Sequence, residues 1–261
     1  MINPKSYVIC TTPRSGSNLL CDLLAASKVM GNPQEFLNVD SMLSPFCKKN
    51  GLVDTESKVN LESYIKLVME KFSSQNQVFG MKALFDQLEP FLELNSTRQF
   101  LQNSKFIWLV RQDVLAQAVS MYIAQATDEW TSLNEENNRQ QENKNRRDTL
   151  KYNQEKIDKK LKYLTRYNLK WLEFFAINKI EYLTVFYEDI FKNPTLACQD
   201  ICRFCGVETD YSFPMEKAKF KKQGDQINET FITTFSENSG LNLKNISPTF
   251  ELDIKGVKLI E

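Results

Sequence analysis

The sequence predicts an α/β fold with a mostly parallel central sheet and helices on both faces. Segments with the apolar spacing of helices alternate with short runs of strand-forming residues along the chain. The run KFIWLV at residues 105–110 is almost continuously apolar, as in a central strand that is covered on both faces. Residues 7–10 form the first predicted strand, which passes through a polar turn into a helix with leucines at helical spacing.

The remaining elements follow from the same periodicities and from capping residues. We predict further strands at residues 78–82 and 182–187, and helices at residues 61–72 and 84–94. Asp113 is a predicted N-cap, and Asn193 with Pro194 predicts the start of a helix that ends at Gly206. A final amphipathic helix carries Ile227, Phe231, Ile232 and Phe235.

We expect a single domain over residues 1–261. Residues 128–162 are too polar to bury a core, and we interpret them as a helical or mobile insertion. The tail at 236–261 carries no functional interpretation.

The composition excludes several classes of function. The 261 residues contain 33 basic and 33 acidic side chains, so no overall field attracts nucleic acid or an anionic membrane. A signal peptide and a transmembrane segment are both missing from the pattern, which predicts a cytoplasmic protein with reduced cysteines. Histidine is absent, so a general base has to be a carboxylate or, less commonly, lysine, tyrosine or cysteine.

The turn TTPRSGS at residues 11–17 is the first candidate site. A loop with glycine, hydroxyl side chains and an arginine can direct backbone N–H groups, a helix N-terminus and a fixed charge at one anion. We therefore predict a phosphate or sulfate site. The GxxxxGK sequence of the nucleotide-binding P-loop is not present, which weakens an ATP or GTP interpretation. An ordinary strand-to-helix turn is the alternative.

Glu35 is the candidate carboxylate. It lies on a loop after residues 31–33, which break regular structure, and this loop would reach the carboxyl edge of the sheet, where ligands bind in doubly wound folds. Its neighbours Gln34 and Asn38 can hydrogen-bond a hydroxylated substrate. The alternative is a solvated loop carboxylate.

Basic residues also follow predicted strands. Lys82 ends the strand at 78–82, where it reaches a ligand or extends to solvent. Arg111 follows the strand at 105–110, and Ser120 lies on the next helix, so the two predict a second anion site or are surface side chains. The basic run at 217–226 either closes over a phosphate or is a solvated cluster.

Cys198, Cys202 and Cys205 have the CxxxCxxC spacing of some iron–sulfur enzymes. On one helix these residues fall on a single face, whereas three thiolates need a bent loop to converge on a cluster. We therefore interpret them as buried core residues.

Seven segments also carry a resemblance when taken in order. They are YVICTTPRSGSNLL, NPQEF, VFGMKALFDQL, FIWLVRQDVLAQAVSMY, AQATDEW, VFYEDI and KKQGDQ. Together they look like the bacterial sulfotransferases of the trehalose 2-sulfotransferase type, over residues 7–235. The family implies a P-loop-like sulfotransferase fold, the donor 3′-phosphoadenosine 5′-phosphosulfate (PAPS), no metal, and a carbohydrate or glycolipid-like acceptor.

The resemblance also implies roles for residues. Glu35 would be the general base and Arg14 a second catalytic residue, while Arg111 and Ser120 would hold the 3′-phosphate. The acceptor would contact Gln34, Phe36 and Lys82. The donor would also contact Lys222, Gln223 and the loop residues Pro13, Arg14, Ser15, Gly16, Ser17 and Asn18.

Two positions depart from the family pattern. Gln112 stands where arginine is common, and Asn18 where threonine is usual. Two alternatives to a sulfotransferase stay open at this point. One is a P-loop-like kinase or nucleotidase, and the other is a non-catalytic nucleotide-binding protein on the same fold. A homodimer is left open.

Overall fold

The computed structural model describes residues 5–130, 146–218, 225–241, 251–254 and 257–260. Within these ranges the main sheet has four parallel strands in the order β2–β1–β3–β4. This confirms the predicted α/β fold. The strands are β1 Lys5–Thr11, β2 Val78–Leu84, β3 Ser104–Val110 and β4 Tyr182–Phe186.

Helices connect these strands and cover the sheet. They are α1 Ser17–Ala26, α2 Ser44–Lys49, α3 Leu61–Phe72, α4 Phe85–Leu88, α5 Asn95–Gln102, α6 Val114–Thr127, α7 Gln154–Ile177, α8 Tyr187–Lys192 and α9 Pro194–Phe204. A π-helical turn spans Val39–Leu43, and 3-10 turns span Glu89–Phe91 and Met215–Lys217. No helix in the described ranges has both the length and the apolar character that crossing a bilayer requires.

Alternate side chains of β1 build two cores. Tyr7 and Ile9 belong to a cluster with α1 and α9. Val8 and Cys10 point to the other face, into a cluster with α3, α5 and α7. Residues on alternate sides of a strand face opposite sides of a sheet, so a nearly continuous apolar run is what a doubly covered strand requires.

The order of the strands places the site. The chain leaves β1 for β2 on one side and then returns to β3 on the other side of β1. Connections that diverge in this way open a crevice at the carboxyl ends of the strands. The loop after Thr11 and the residue Arg111 after β3 both lie at this edge.

Several predicted helix boundaries are confirmed. The helix at 61–72 is α3. Asp113 caps α6 through a 2.8 Å hydrogen bond from the backbone N–H of Ala116, and Asn193 caps α9 with Pro194 in its first turn.

The single helix predicted at residues 84–94 is wrong. Leu84 is the last residue of β2, and the following helical residues split into α4 and the turn Glu89–Phe91. Pro90 lies inside this stretch and has no backbone N–H to donate, so a regular helix cannot continue through it.

The three cysteines of the CxxxCxxC spacing are buried. Cys198 and Cys202 lie on α9, Cys205 is its C-cap, and all three belong to the core cluster that contains Tyr7. Burial raises the pKa of Cys202 to about 12, so its thiol stays protonated near neutral pH. Protonated thiols are poor metal ligands.

The chain divides into residues 1–223 and a smaller second unit of residues 224–261. The second unit contains α10 Gln226–Asn238, which begins with a capping box between Asp225 and Asn228, and the antiparallel pair β5 Glu251–Ile254 and β6 Val257–Ile260. Two predicted donor contacts, Lys222 and Gln223, lie outside the described residues, as does the centre of the polar insertion at 131–145.

One buried hydrogen bond allows a test of the core. The Tyr7 hydroxyl donates to the Met30 carbonyl at 2.8 Å. We expect Tyr7→Phe to lower the free energy of unfolding by about 1 to 3 kcal/mol, because it leaves a buried carbonyl unpaired. Urea denaturation measures the change. Tyr182→Phe is the control, since Tyr182 stacks its ring on Phe175. Equal losses in the two variants would show that the hydroxyl contributes nothing specific.

Candidate functional site

The loop between β1 and α1 is fixed from three sides. The Thr11 hydroxyl donates to the Leu109 carbonyl of β3 at 3.0 Å and lies 2.6 Å from the Ser15 hydroxyl. The Trp171 indole of α7 donates to the Thr11 carbonyl at 2.9 Å. From α6, the Gln117 amide donates to Thr12 Oγ1 at 2.9 Å and to the carbonyl of Pro13 at 2.7 Å. The loop is therefore held in one shape before any ligand binds.

The backbone of this loop needs a glycine. Arg14 and Gly16 have φ of 63° and 81°, in the left-handed region. A Cβ on Gly16 would lie 2.2 Å from a ring carbon of Tyr187. Gly16 is also the N-cap of α1, whose first turn has no acidic residue. The first backbone N–H groups of α1 therefore follow a residue without a side chain, so an anion can approach these groups closely.

Arg14 and Arg111 form an arginine group at this loop. Arg14 donates from Nε to Ser120 Oγ at 3.0 Å and from Nη1 to the Trp130 carbonyl at 2.7 Å. The guanidinium carbon of Arg111 lies 4.9 Å from the centre of the Tyr187 ring. Arg111 Nε is buried, and no described residue accepts a hydrogen bond from it.

Two neighbouring positive charges act on Arg14. Burial, together with the charges of Arg111 and Arg147, lowers the pKa of Arg14 to about 10, against the opposing effects of Tyr187 and Glu129. Like charges held together favour an anion between them. The structure thus brings Arg14, which the sequence predicted for the first anion site, close to Arg111 and Ser120, which it predicted together for a second.

A second group surrounds Glu35. Glu35 Oε1 lies 2.7 Å from Lys82 Nζ, and the side chains are 27% and 7% exposed. The same ammonium donates to Asn18 Oδ1 in the first turn of α1. Lys82 therefore links the loop that carries Glu35 to α1, the helix that follows the anion loop, residues 12–16 between β1 and α1.

Amides hold the other carboxylate oxygen. Gln87 Nε2 donates to Glu35 Oε2 at 2.8 Å, and Asn38 Nδ2 donates to it at 3.3 Å. Burial raises the pKa of Glu35, but the Lys82 charge and these hydrogen bonds outweigh burial, so the pKa lies below its ordinary value. Glu35 is therefore ionised at neutral pH.

Backbone contacts fix the loop that carries Glu35. The Lys82 N–H donates to the Gln34 carbonyl at 3.0 Å, and the Tyr64 hydroxyl donates to the Phe36 carbonyl at 2.6 Å. The Phe36 ring is 1% exposed and packs against Phe72 and Phe79. Phe36 thus anchors the loop in the core.

The short helix α4 presents Gln87, and α7 holds α4 in place. Tyr163 donates to Asp86 at 2.8 Å, and the Phe85 ring meets the Trp171 ring edge-on at 5.0 Å. The Trp171 indole also donates its hydrogen bond to the Thr11 carbonyl. One residue of α7 therefore supports both groups of side chains.

Sequence reasoning missed three of these residues. Tyr187 could have been found, because it directly follows β4 just as Arg111 follows β3. Gln87 and Gln117 gave no signal, since each meets its partner through contacts that are long-range in sequence.

The contact between Gly16 and Tyr187 predicts a stability effect. Gly16→Ala should cost more than the roughly 1 to 2 kcal/mol of a left-handed alanine, because its Cβ also overlaps the Tyr187 ring. Gly51→Ala is a matched control, since Gly51 has φ of 66° and no atom within 4 Å of its Cβ position. Urea denaturation compares the two variants. Equal losses would contradict a close contact with Tyr187.

The ion pair of Glu35 predicts a pH effect. A carboxyl whose pKa is lower in the folded chain stabilises the fold above its unfolded pKa, and this contribution is lost as pH falls through the folded pKa. The difference in unfolding free energy between wild type and Glu35→Gln should therefore shrink as pH falls below 4.5, the ordinary value. Glu93→Gln, at a side chain 87% exposed, controls for removing one carboxylate. A difference that grows on acidification would show a raised pKa instead.

Known proteins share this fold. The sulfotransferase domain from the curacin biosynthetic pathway is 15% identical with a TM-score of 0.52, covering 88% of this chain and 96% of that chain. A sulfotransferase from Alicyclobacillus acidocaldarius is 16% identical with a TM-score of 0.47, covering 91% and 93%. No curated protein matches the sequence. Residues 6–238 match the family described as Stf0 sulphotransferase, and the chain therefore belongs to the Stf0 sulphotransferase family.

Proposed function

We propose that this protein transfers a sulfuryl group from PAPS to a hydroxyl of a carbohydrate or glycolipid-like acceptor, with Glu35 as general base. The observation that carries the proposal is the anion loop, which joins two unlike groups of side chains. Arg14 within the loop belongs to the arginine group, and Asn18, in the first turn of the helix that follows the loop, contacts Lys82 beside Glu35. A nucleotide site and an acid–base site therefore share one loop.

The described residues fit an anionic nucleotide donor. Arg111 Nε is a buried donor with no acceptor among the described residues, the N-cap of α1 is a glycine, and the positive charges of Arg111 and Arg147 act on Arg14. A buried donor without an acceptor is unfavourable by itself and becomes favourable beside phosphate or sulfate oxygens. Membership of a sulphotransferase family favours this donor over a kinase substrate such as ATP.

The donor supplies an electrophilic sulfuryl group and a bisphosphate leaving group. In the proposed mechanism, the N–H groups at Gly16–Asn18 bind the phosphosulfate oxygens, and Arg14, Arg111 and Ser120 bind the 3′-phosphate. Lys82 lies between the loop and Glu35, where its charge would stabilise negative charge that develops on the transferred group. The family resemblance made Arg14 the catalytic cation, whereas its hydrogen bond to Ser120 favours a role in binding for Arg14 and a catalytic role for Lys82.

Glu35 would accept the proton of the attacking hydroxyl. Its lowered pKa keeps it ionised, and the hydroxyl becomes strongly acidic only as its oxygen bonds to sulfur. The new O–S bond forms as the bond from sulfur to the phosphate oxygen breaks, and the proton moves to the carboxylate. A weak base can accept this proton, because the proton transfer occurs late in the step, when the hydroxyl is already strongly acidic.

The polar surroundings of Glu35 support a hydroxylated acceptor. Gln34, Asn38 and Gln87 are half-buried amides on or beside the loop. Amides both donate and accept hydrogen bonds, as ring hydroxyls do. The resemblance to the trehalose 2-sulfotransferase type does not fix the acceptor as trehalose.

The test of the proposed function is Glu35→Gln. The variant keeps the shape of the side chain and removes its basicity, so we expect turnover to fall by roughly 10² to 10⁴, the usual range for general-base catalysis. Affinity for the product adenosine 3′,5′-bisphosphate should stay unchanged, since that site is formed by the arginine group and the loop. Single-turnover transfer of labelled sulfate from saturating PAPS to a panel of sugars and glycolipids measures the first quantity, and calorimetry measures the second.

Glu93→Gln is the control, because Glu93 pairs with Arg98 at the surface. Normal transfer by Glu35→Gln would exclude Glu35 as the base. Absence of bisphosphate binding by the wild type would overturn the donor assignment.

A further inference from the structure

Glu188 holds the turn that follows Arg111. β3 ends at Val110 and α6 has Asp113 as its N-cap, so only Arg111 and Gln112 connect the two elements. The Gln112 N–H donates to the Glu188 carboxylate, 3.2 Å from Oε1 and 3.1 Å from Oε2, and the Asp113 N–H donates to Oε1 at 3.4 Å. One carboxylate therefore binds both backbone N–H groups that come directly after Arg111.

The register of the sheet brings Glu188 to this turn. β3 and β4 are parallel neighbours, and Val110 pairs with Phe186, the last residue of each strand. Tyr187 and Glu188 therefore leave β4 at the level where Arg111 leaves β3. The two segments stay in contact beyond their last paired residues, through side chains instead of the backbone.

Tyr187 supports the side chain of Arg111. The guanidinium carbon of Arg111 lies 4.9 Å from the centre of the Tyr187 ring, within the range of a cation–π contact. The same ring lies so close to Gly16 that a Cβ there would be 2.2 Å from it. Gly16 is the last residue of the anion loop and the N-cap of α1. The Arg111 guanidinium and the anion loop thus share one aromatic neighbour.

Glu188 acts on the backbone and not on the arginine side chain. Among the described residues, Arg111 Nε is buried without an acceptor, so the Glu188 carboxylate is not bonded to it. Gln112 and Asp113 are exposed, and water can accept hydrogen bonds from N–H groups at such positions. The bonds to Glu188 therefore add little to stability, and their main effect is to fix the backbone next to Arg111.

We propose that Glu188 is a positioning residue for the proposed nucleotide site. It fixes the turn after β3, so that Arg111, supported by Tyr187, directs its guanidinium at a phosphate group of the nucleotide. The inference rests on the proposed function, because it takes a nucleotide as the ligand of Arg111. Glu188 binds backbone N–H groups, so its effect does not depend on Gln112, the residue that departs from the family pattern.

The sign of one change tests this role. Glu188→Ala removes a negative charge, which by charge alone would strengthen the binding of adenosine 3′,5′-bisphosphate. We expect the opposite, a loss of about 10-fold, roughly the effect of one charge-assisted hydrogen bond, because Arg111 is no longer held in place. Calorimetry measures the affinity. Asp189→Ala is the matched control, since Asp189 is the exposed neighbouring carboxylate, 3.6 Å from Lys192, and this variant should not bind more weakly than the wild type.

A double-mutant cycle shows whether Glu188 acts through Arg111. In the Arg111→Gln background, Glu188→Ala should weaken the bisphosphate by less than about twofold, because the charge that Glu188 positions is already gone. Glu188→Gln keeps one acceptor oxygen for the turn, so it should fold even if Glu188→Ala does not. We expect Glu188→Gln to lose about threefold in affinity beside an intact Arg111 and to have no further effect beside Arg111→Gln.

The outcomes separate the two proposals. Failure of the wild type to bind the bisphosphate would overturn the proposed function and this inference with it. Binding by the wild type, with equal or tighter binding by Glu188→Ala, would overturn only the role of Glu188. An equal loss with and without Arg111 would show a general structural effect and would also overturn that role.

Discussion

The burial of Thr11 at the end of β1 is the constraint on which the rest of the site depends. Its side chain is fully buried, and its hydroxyl and carbonyl both bond to other elements, β3 on one side and α7 on the other. A loop that starts from such a point has little freedom. Gly16 and Asn18 therefore take fixed places, and the arginine group and the Glu35 group are positioned relative to one helix, α1.

The two groups differ in how their charge is balanced. Glu35 has a nearby ammonium and two amides, so its charge is stabilised without any ligand. The guanidinium of Arg14 is largely buried, and the positive charges of Arg111 and Arg147 act on it. A fixed cationic site of this kind is already organised for an anion and needs little rearrangement when one binds. The structure thus keeps the proposed base ionised and holds the arginines of the proposed nucleotide site in place.

Much of the fold could be predicted from the sequence because it depends on local patterns. The strands β1 and β3 and the helix α3 follow from apolar periodicity, and the caps Asp113 and Asn193 follow from side-chain chemistry. The helix predicted at 84–94 is wrong because the apolar periodicity continues through Pro90, where a regular helix cannot. A proline inside an apolar pattern is itself a local signal that a helix is interrupted, and Pro90 is such a signal.

The site was less predictable, since its residues meet through the fold. Glu35 and Lys82 were each singled out, yet nothing local indicates that they form an ion pair across β2 and the preceding loop. Gln87 bonds to Glu35 from 52 positions away and Gln117 reaches the anion loop from 105 positions away, and an amide at such a distance has no sequence signature. The rule that ligands bind at the carboxyl ends of parallel strands identifies positions at this edge of the sheet. It does not identify the residues that orient the side chains at those positions.

The pairing of Glu35 with Lys82 limits what kind of base Glu35 can be. A carboxylate with a lowered pKa is always available at neutral pH, but it has little tendency to remove a proton from an unreacted alcohol. Such a base acts only after the oxygen has begun to bond to the electrophile. In the proposed reaction such a base would disfavour attack on the donor by an incorrectly placed hydroxyl, because that hydroxyl would not become acidic enough to be deprotonated. The Lys82 ammonium, which lowers the basicity of Glu35, also donates a hydrogen bond to Asn18 in the first turn of α1. The same cation therefore lies where negative charge would develop during the proposed transfer.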